Sequence, residues 1–238
     1  MSLSSLENNP GQVNPDIPRF EVFVPAQAGP LPKNGRLGVL GSAYNPITRG
    51  HLLLARYSRE QAKLDEIIFV LPKILPNKPL VGVSVEQRFE MMRIGASGIP
   101  YISLGVCSHG LFLEICTALH QIYPQKLEIF FITGRDAAER ILKWPYDDPA
   151  ATLARMFTCF QLLVFERQGK LELPENSLIQ QYSNRIHPLE TKDNLDRVSS
   201  TEVRQRIRTG RPLEDLIPAR VADFISKQNL YGNIPEEG

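Results

Sequence analysis

Apolar residues fall in short runs along this chain, and the runs alternate with segments of helical spacing. RLGVLG (36–41) reads as a buried strand and HLLLARYSREQAKL (51–64) as the helix after it. EIIFVL (66–71), YISLGV (101–106), LEIFFI (127–132) and FQLLVF (160–165) repeat the strand pattern. Between them, VEQRFEMMRIGAS (85–97) places Val85, Phe89, Met92 and Ala96 on one helical face. GLFLEICTALHQIY (110–123) does the same with Phe112, Ile115, Leu119 and Ile122. Continuously apolar strands alternating with helices predict a parallel sheet covered on both faces. Right-handed crossovers then give an α/β, Rossmann-like doubly wound fold. Ligands in such sheets sit at the carboxyl ends of strands, so the segments after Gly41, Leu71, Ile132 and Phe165 are the places to look for chemistry.

Residues 1–34 contain Pro10, Pro15, Pro18, Pro25, Pro30 and Pro32. That density opposes a packed helix, so 1–34 reads as a Pro-rich N-terminal leader and 35–238 as the globular domain. FEVFV (20–24) is nevertheless patterned to pair as an edge strand. A chain of 238 residues suits one α/β domain with extensions or two small domains, and the alternation favours the first. The net charge of +1 suggests no general affinity for polyanions, so nucleic acid is not an expected partner and any anion site must be local. No apolar run reaches membrane-spanning length, and no charged-then-apolar signal opens the chain. Cys107, Cys116 and Cys159 form no C-x-x-C pair, which fits a reducing, cytoplasmic setting.

Several chemistries are excluded or weakened. There is no G-x-x-x-x-G-K-[ST] phosphate loop and no G-x-S-x-G elbow. Gly35, Gly38 and Gly41 are spaced wrongly for a dinucleotide fingerprint, and two of them precede or lie inside the strand. Cys107 with His109 and Cys116 with His120 could be arranged as zinc ligands, but they read better as core plus surface, and no metal site is expected.

GSAYNPITRGH (41–51) is the first candidate segment. Gly41 and Ser42 leave the strand with little bulk, so backbone N–H groups can approach a ligand. Asn45-Pro46 imposes an extended or turn geometry. Gly50 and His51 open a helix whose free N–H groups attract anions, and Thr48 could join His51 on one phosphate. The alternative is a capped turn with a satisfied histidine. VSSTEVRQRIRTGRP (198–212) is the second segment. Ser199 and Glu202 fit a capping box that leaves earlier N–H groups available. Ser200 and Arg204 share a face, with Val203 and Ile207 on the core side. Hydroxyl, amides and guanidinium would make a polyphosphate clamp.

In FFITGRDAAERILKW (130–144) a strand ends at Thr133-Gly134, and Asp136 sits in the opening turn of a helix. Asp136 can cap that helix or bind a sugar hydroxyl. Trp144, the lone tryptophan, packs in the core or stacks on an aromatic ligand. PKILPNKPLVG (72–82) holds Lys73 and Lys78 on a proline-stiffened loop that reaches phosphates or simply connects.

Taken together, these segments resemble the nucleotidyltransferase superfamily. Gly41 to His51 looks like its (H/T)-x-G-H signature, and Val198 to Arg204 like its I-S-S-T-x-x-R signature. The resemblance is to nicotinate- or nicotinamide-nucleotide adenylyltransferases and covers roughly residues 36–232. FFITGRDAAERILKW is similar to their strand–G-x-D–helix–W segment, and LLVFERQGK (162–170) to a V-x-x-R-x-G strand that contains Arg167. LEDLIPARVADFISKQNLYG (213–232) is similar to their closing helix. The resemblance implies adenylyl transfer from ATP, brought with Mg²⁺, to a mononucleotide, with pyrophosphate released. Thr48 and His51 would bind ATP phosphates, and Ser200, Thr201 and Arg204 the β- and γ-phosphates. Gly134 and Asp136 would approach sugars, Trp144 the pyridine ring, and Arg167 and Lys78 the acceptor. The implied partners are ATP and a small phosphorylated acceptor, and a homo-oligomer is compatible. The chain departs from the pattern at Thr48, at Asn45 and in CSHGLFLEICTAL (107–119), where an S-Y-T-x-D-T-L-like segment would stand. That stretch keeps two other readings open: a cytidylyltransferase or another adenylyltransferase with a different acceptor, and a nucleotide-binding regulatory module without turnover.

Overall fold

The structure, a computed structural model, describes residues 17–74, 82–123, 126–166, 170–171, 173, 178–191 and 198–232. Among them, the strands β1 (Phe20–Val24), β2 (Arg36–Gly41), β3 (Glu66–Pro72), β4 (Ile102–Cys107), β5 (Glu128–Gly134), β6 (Gln161–Phe165) and β7 (Ile186–Leu189) form one sheet in the order β1-β4-β3-β2-β5-β6-β7. All neighbours from β4 to β7 pair in parallel. β1 pairs antiparallel with β4, Phe20 opposite Cys107, so Phe20–Val24 forms the edge strand that its pattern predicted.

The strand order reverses between β2 and β5, whose backbones pair from Arg36↔Glu128 to Val39↔Phe131. This is the doubly wound arrangement expected from the alternation, and it leaves a crevice beyond the carboxyl ends of β2 and β5. α1 (Arg49–Ala62), α2 (Val85–Ala96), α6 (Ser200–Arg208) and α7 (Ala219–Lys227) contribute to one face of the sheet. α3 (Phe112–Leu119), α4 (Arg135–Leu142) and α5 (Pro149–Cys159) contribute to the other. The faces divide each strand by alternation: Ile67, Phe69 and Leu71 of β3 join the first cluster, Ile68 and Val70 the second. Burial on both sides is why these strands read as unbroken apolar runs.

Element ends follow local chemistry. α1 starts two residues before the apolar run, because Thr48 has the extended backbone of an N-cap. α3 is shorter than its run: Leu111 is the cap, and Glu114 Oε2 accepts the Leu111 N–H at 2.9 Å. α5 and β7 are among the elements that went unread in the sequence. α5 follows Asp148, whose carboxylate accepts the Ala151 N–H at 3.0 Å, with Pro149 at the first helical position. β7 is only four residues long and contains Pro188, so neither its length nor its composition signals a strand. Among the described residues no helix is long and apolar enough to cross a membrane.

Candidate active site

The loop from Ser42 to Thr48 leaves β2 and ends at the N-terminus of α1. Its middle is irregular: the Asn45–Pro46 peptide is cis, and Tyr44 has φ 45°. The Tyr44 side chain is fully buried, stacking on Phe69 with ring centroids 5.5 Å apart and lying 4.9 Å from the His51 ring.

His51 is held through both nitrogens. Nδ1 accepts the Thr48 backbone N–H at 3.0 Å and lies 2.8 Å from Thr48 Oγ1. A backbone amide can only donate, so Nδ1 is the unprotonated nitrogen and the proton sits on Nε2. Nε2–H then donates to Ser42 Oγ at 3.1 Å. Thr48 thus caps α1, with His51 in the place Glu or Gln takes in an ordinary capping box. Burial pushes the imidazole from 6.5 down to about 4, so the ring is neutral at physiological pH and presents an oriented N–H donor.

The second segment supports the first. Ser199 Oγ accepts the Glu202 N–H at 3.1 Å as the cap of α6. The Glu202 carboxylate pairs with Arg206 at 2.9 Å instead of returning to the cap. Ser200 Oγ donates to Pro46 O at 2.7 Å, and Arg204 Nη1 to Asn45 O at 2.8 Å. Arg204 Nη2 also reaches Thr201 Oγ1 at 3.3 Å. These bonds grip consecutive carbonyls of the loop, so the shared face of Ser200 and Arg204 is directed at the first segment.

A cavity of about 240 Å³ opens at the crevice, lined by Thr48, Gly50, His51, Leu54, Gly134, Phe165, Val198, Ser199 and Ser200. The N-termini of α1 and α6 both face it. In α1 the Arg49 N–H goes to Leu216 O at 2.8 Å and the His51 N–H to Thr48 O at 3.1 Å, and in α6 the Glu202 N–H goes to Ser199 Oγ. Gly50 and Ser200 of the two opening turns line the cavity at the positive ends of the helix dipoles, which makes its wall an anion seat. Gly50 belongs here for steric reasons: a Cβ would stand 3.3 Å from both Thr48 Oγ1 and Val198 O. Gly134 leaves open space at the end of β5, where backbone is exposed to a ligand.

The structure therefore brings together Thr48, Gly50, His51, Ser199, Ser200 and Gly134, with Gly41 ending β2 and Ser42 on the histidine ring. Arg204, read in the sequence as a phosphate ligand, is 7% exposed and is not among the residues lining the cavity. Its guanidinium is occupied by loop and helix oxygens. Asp136 lies in the first turn of α4 with its side chain 82% exposed, 3.5 Å from Arg135 Nη2. Trp144 is 47% exposed and is not buried in the core. Arg167 and Lys78 lie outside the described residues. Among the described residues no three His, Cys, Asp or Glu side chains are placed to hold a metal ion.

Sequence reasoning missed Arg88, which is 1% exposed and donates to Ala43 O at 3.2 Å. Its signal was an arginine directly beside Phe89 on the buried side of α2. The resemblance covered Tyr231 in the L-Y ending of 213–232 but gave it no role; its hydroxyl donates to Asn45 Oδ1 at 2.8 Å. No local pattern marks a bond across 186 positions.

Comparison with known proteins adds the family. The sequence model of the cytidylyltransferase-like family matches residues 39–206, which include the stretches Gly41 to His51 and Val198 to Arg204. A protein of Carboxydothermus hydrogenoformans named "Probable nicotinate-nucleotide adenylyltransferase" is 30% identical over 203 residues, 82% of this chain and 98% of that one. One of the same name from Thermoanaerobacter is 30% identical over 209 residues, 85% of this chain and 97% of that one. In fold, the chain resembles Plasmodium falciparum nicotinic acid mononucleotide adenylyltransferase solved with NaAD, at a TM-score of 0.60 and 19% identity, covering 83% of this chain and 97% of that one.

Proposed function

The chain belongs to the cytidylyltransferase-like family of nucleotidyltransferases, and from that premise we propose that it transfers the adenylyl group of ATP to nicotinate mononucleotide, a step of NAD biosynthesis. The observation that carries the proposal is the convergence of two helix N-termini on one cavity that also receives Thr48, His51 and Ser200. The names of the relatives support the choice of acceptor.

In this reaction an acceptor phosphate oxygen attacks the α-phosphorus of ATP in line. The bond from that phosphorus to the bridging oxygen breaks, and pyrophosphate leaves with the electron pair. The nucleophile is already an anion, so no general base is required. Catalysis then reduces to positioning and charge stabilisation. His51 Nε2–H would exchange Ser42 Oγ for a phosphate oxygen at the reacting centre. The N–H groups of Gly50 in α1 and Ser200 in α6 would hold the remaining phosphates, with the Thr48 hydroxyl beside them. Arg204 serves this site through the loop it holds. Gly134 would let the nucleotide sugar approach the end of β5, while Asp136 and Trp144 would meet the ligand from the more open side. Magnesium would enter as part of the Mg–ATP substrate and supply charge neutralisation at the phosphates.

The test is a pyrophosphate-release panel of ATP and CTP against nicotinate mononucleotide, nicotinamide mononucleotide and other phosphorylated acceptors. Release with ATP and nicotinate mononucleotide is expected. Preference for CTP or another acceptor would replace the substrate assignment, and tight ATP binding without turnover would make the chain a regulatory module.

A further inference from the structure

The loop 42–48 carries both partners of the His51 ring, Ser42 on Nε2 and Thr48 on Nδ1. The ring can be no better oriented than that loop. Its middle is fastened from outside by Arg88 on Ala43 O, by Arg204 on Asn45 O and by Ser200 on Pro46 O. One more fastening comes from the end of the described chain, beyond α7: the Tyr231 hydroxyl on Asn45 Oδ1, at 2.8 Å.

Three observations set this bond apart from ordinary packing. Tyr231 is 2% exposed although it lies beyond the end of α7. Its backbone has φ 69°, in the left-handed region that bulky residues seldom occupy. Its hydroxyl is 3.9 Å from Met91 Sδ and feels the charges of both Arg88 and Arg204. Asn45 is itself buried, so without Tyr231 its amide oxygen would lose a hydrogen bond that water cannot readily replace.

We infer that Tyr231 is a positioning residue for the transfer reaction: its hydroxyl fixes Asn45, and through the 42–48 loop it sets the orientation of His51. Tyr231 does not line the cavity and acts only through that histidine. The inference rests on the proposed adenylyl transfer for its kinetic readout, and on the His51 ring for a readout independent of it.

Tyr231→Phe keeps the ring and removes the donor. It should lower kcat roughly tenfold, the factor expected for one hydrogen bond, while KM for ATP stays within about twofold. The ¹⁵N resonances of His51 should shift, and its titration midpoint should rise from about 4 as water reaches a looser ring. Asn45→Leu removes the acceptor from the other side and should give the same signature, with no further loss in the double variant. If Tyr231→Phe does not fold, Asn45→Leu carries the test alone. Unchanged kcat and unchanged His51 resonances in a folded variant overturn the inference. If the wild-type protein transfers no nucleotide, the reaction assignment fails, and the His51 resonances alone decide whether Tyr231 positions the ring.

Discussion

The Ser200 hydroxyl donates to the carbonyl of Pro46 at 2.7 Å, across 154 positions of sequence. This bond and its neighbour from Arg204 to Asn45 make the two signature segments one physical unit. One segment orients a histidine, and the other holds the loop that does so while offering a second helix N-terminus to the same cavity.

His51→Ala should abolish most turnover while the protein still folds. Removing one preorganised donor from a developing anion costs on the order of 10²–10³ in kcat. Thr48 N–H also loses its acceptor, so the folded state should weaken by about 1 kcal/mol, as for a lost cap. Pyrophosphate release and a thermal melt on the same sample measure both effects.

The imidazole makes stability depend on pH. His51 titrates at about 4 when folded and at 6.5 when unfolded, so between these values the unfolded chain binds the extra proton. The stability from keeping the ring neutral is complete above 6.5 and is lost as pH falls through 4, amounting to about 3 kcal/mol. Denaturant melts from pH 7 to 4 should show that slope, and His51→Gln should flatten it. ATP places phosphates on the ring and should raise its midpoint, which NMR titration of the bound protein reads directly.

Arg204 separates two roles. As a loop-holding group, Arg204→Ala leaves the buried Asn45 carbonyl unpaired and should destabilise the fold by about 2–4 kcal/mol. Arg204→Lys should also lower the melting temperature, because a point charge cannot serve Asn45 O and Thr201 Oγ1 together. A direct phosphate ligand would instead lose ATP affinity in the lysine variant with its melt unchanged.

Gly50→Ala puts a methyl 3.3 Å from Thr48 Oγ1 and from Val198 O. The cap must shift by a few tenths of an ångström, and KM for ATP should rise about fivefold to tenfold, equivalent to about 1 kcal/mol of strain. Isothermal titration with a non-hydrolysable ATP analogue checks this without turnover.

What could be read from sequence follows the range of the forces involved. β2, β3, α1 and α2 were visible because burial on one or two faces imprints a period on neighbouring residues. The seats of Thr48, Gly50, His51, Ser199 and Ser200 were visible because helix N-termini are set within a few residues. The direction of the Arg204 guanidinium was not, since it depends on a carbonyl 159 positions away. Arg88 and Tyr231 were hidden for the same reason: a buried hydrogen bond between distant segments has no local period. The capping-box reading and the ligand reading of the first segment were not rivals. The same Nδ1 that completes the cap leaves Nε2–H as a donor, held here by Ser42 Oγ.

The most direct test follows the transferred group itself. With ATP labelled at the α-phosphorus and nicotinate mononucleotide as acceptor, the wild-type protein should move the label into a dinucleotide and release unlabelled pyrophosphate, and His51→Ala should leave the label in ATP. Label that stays in ATP with the wild-type protein, or that appears only in AMP, would contradict the account.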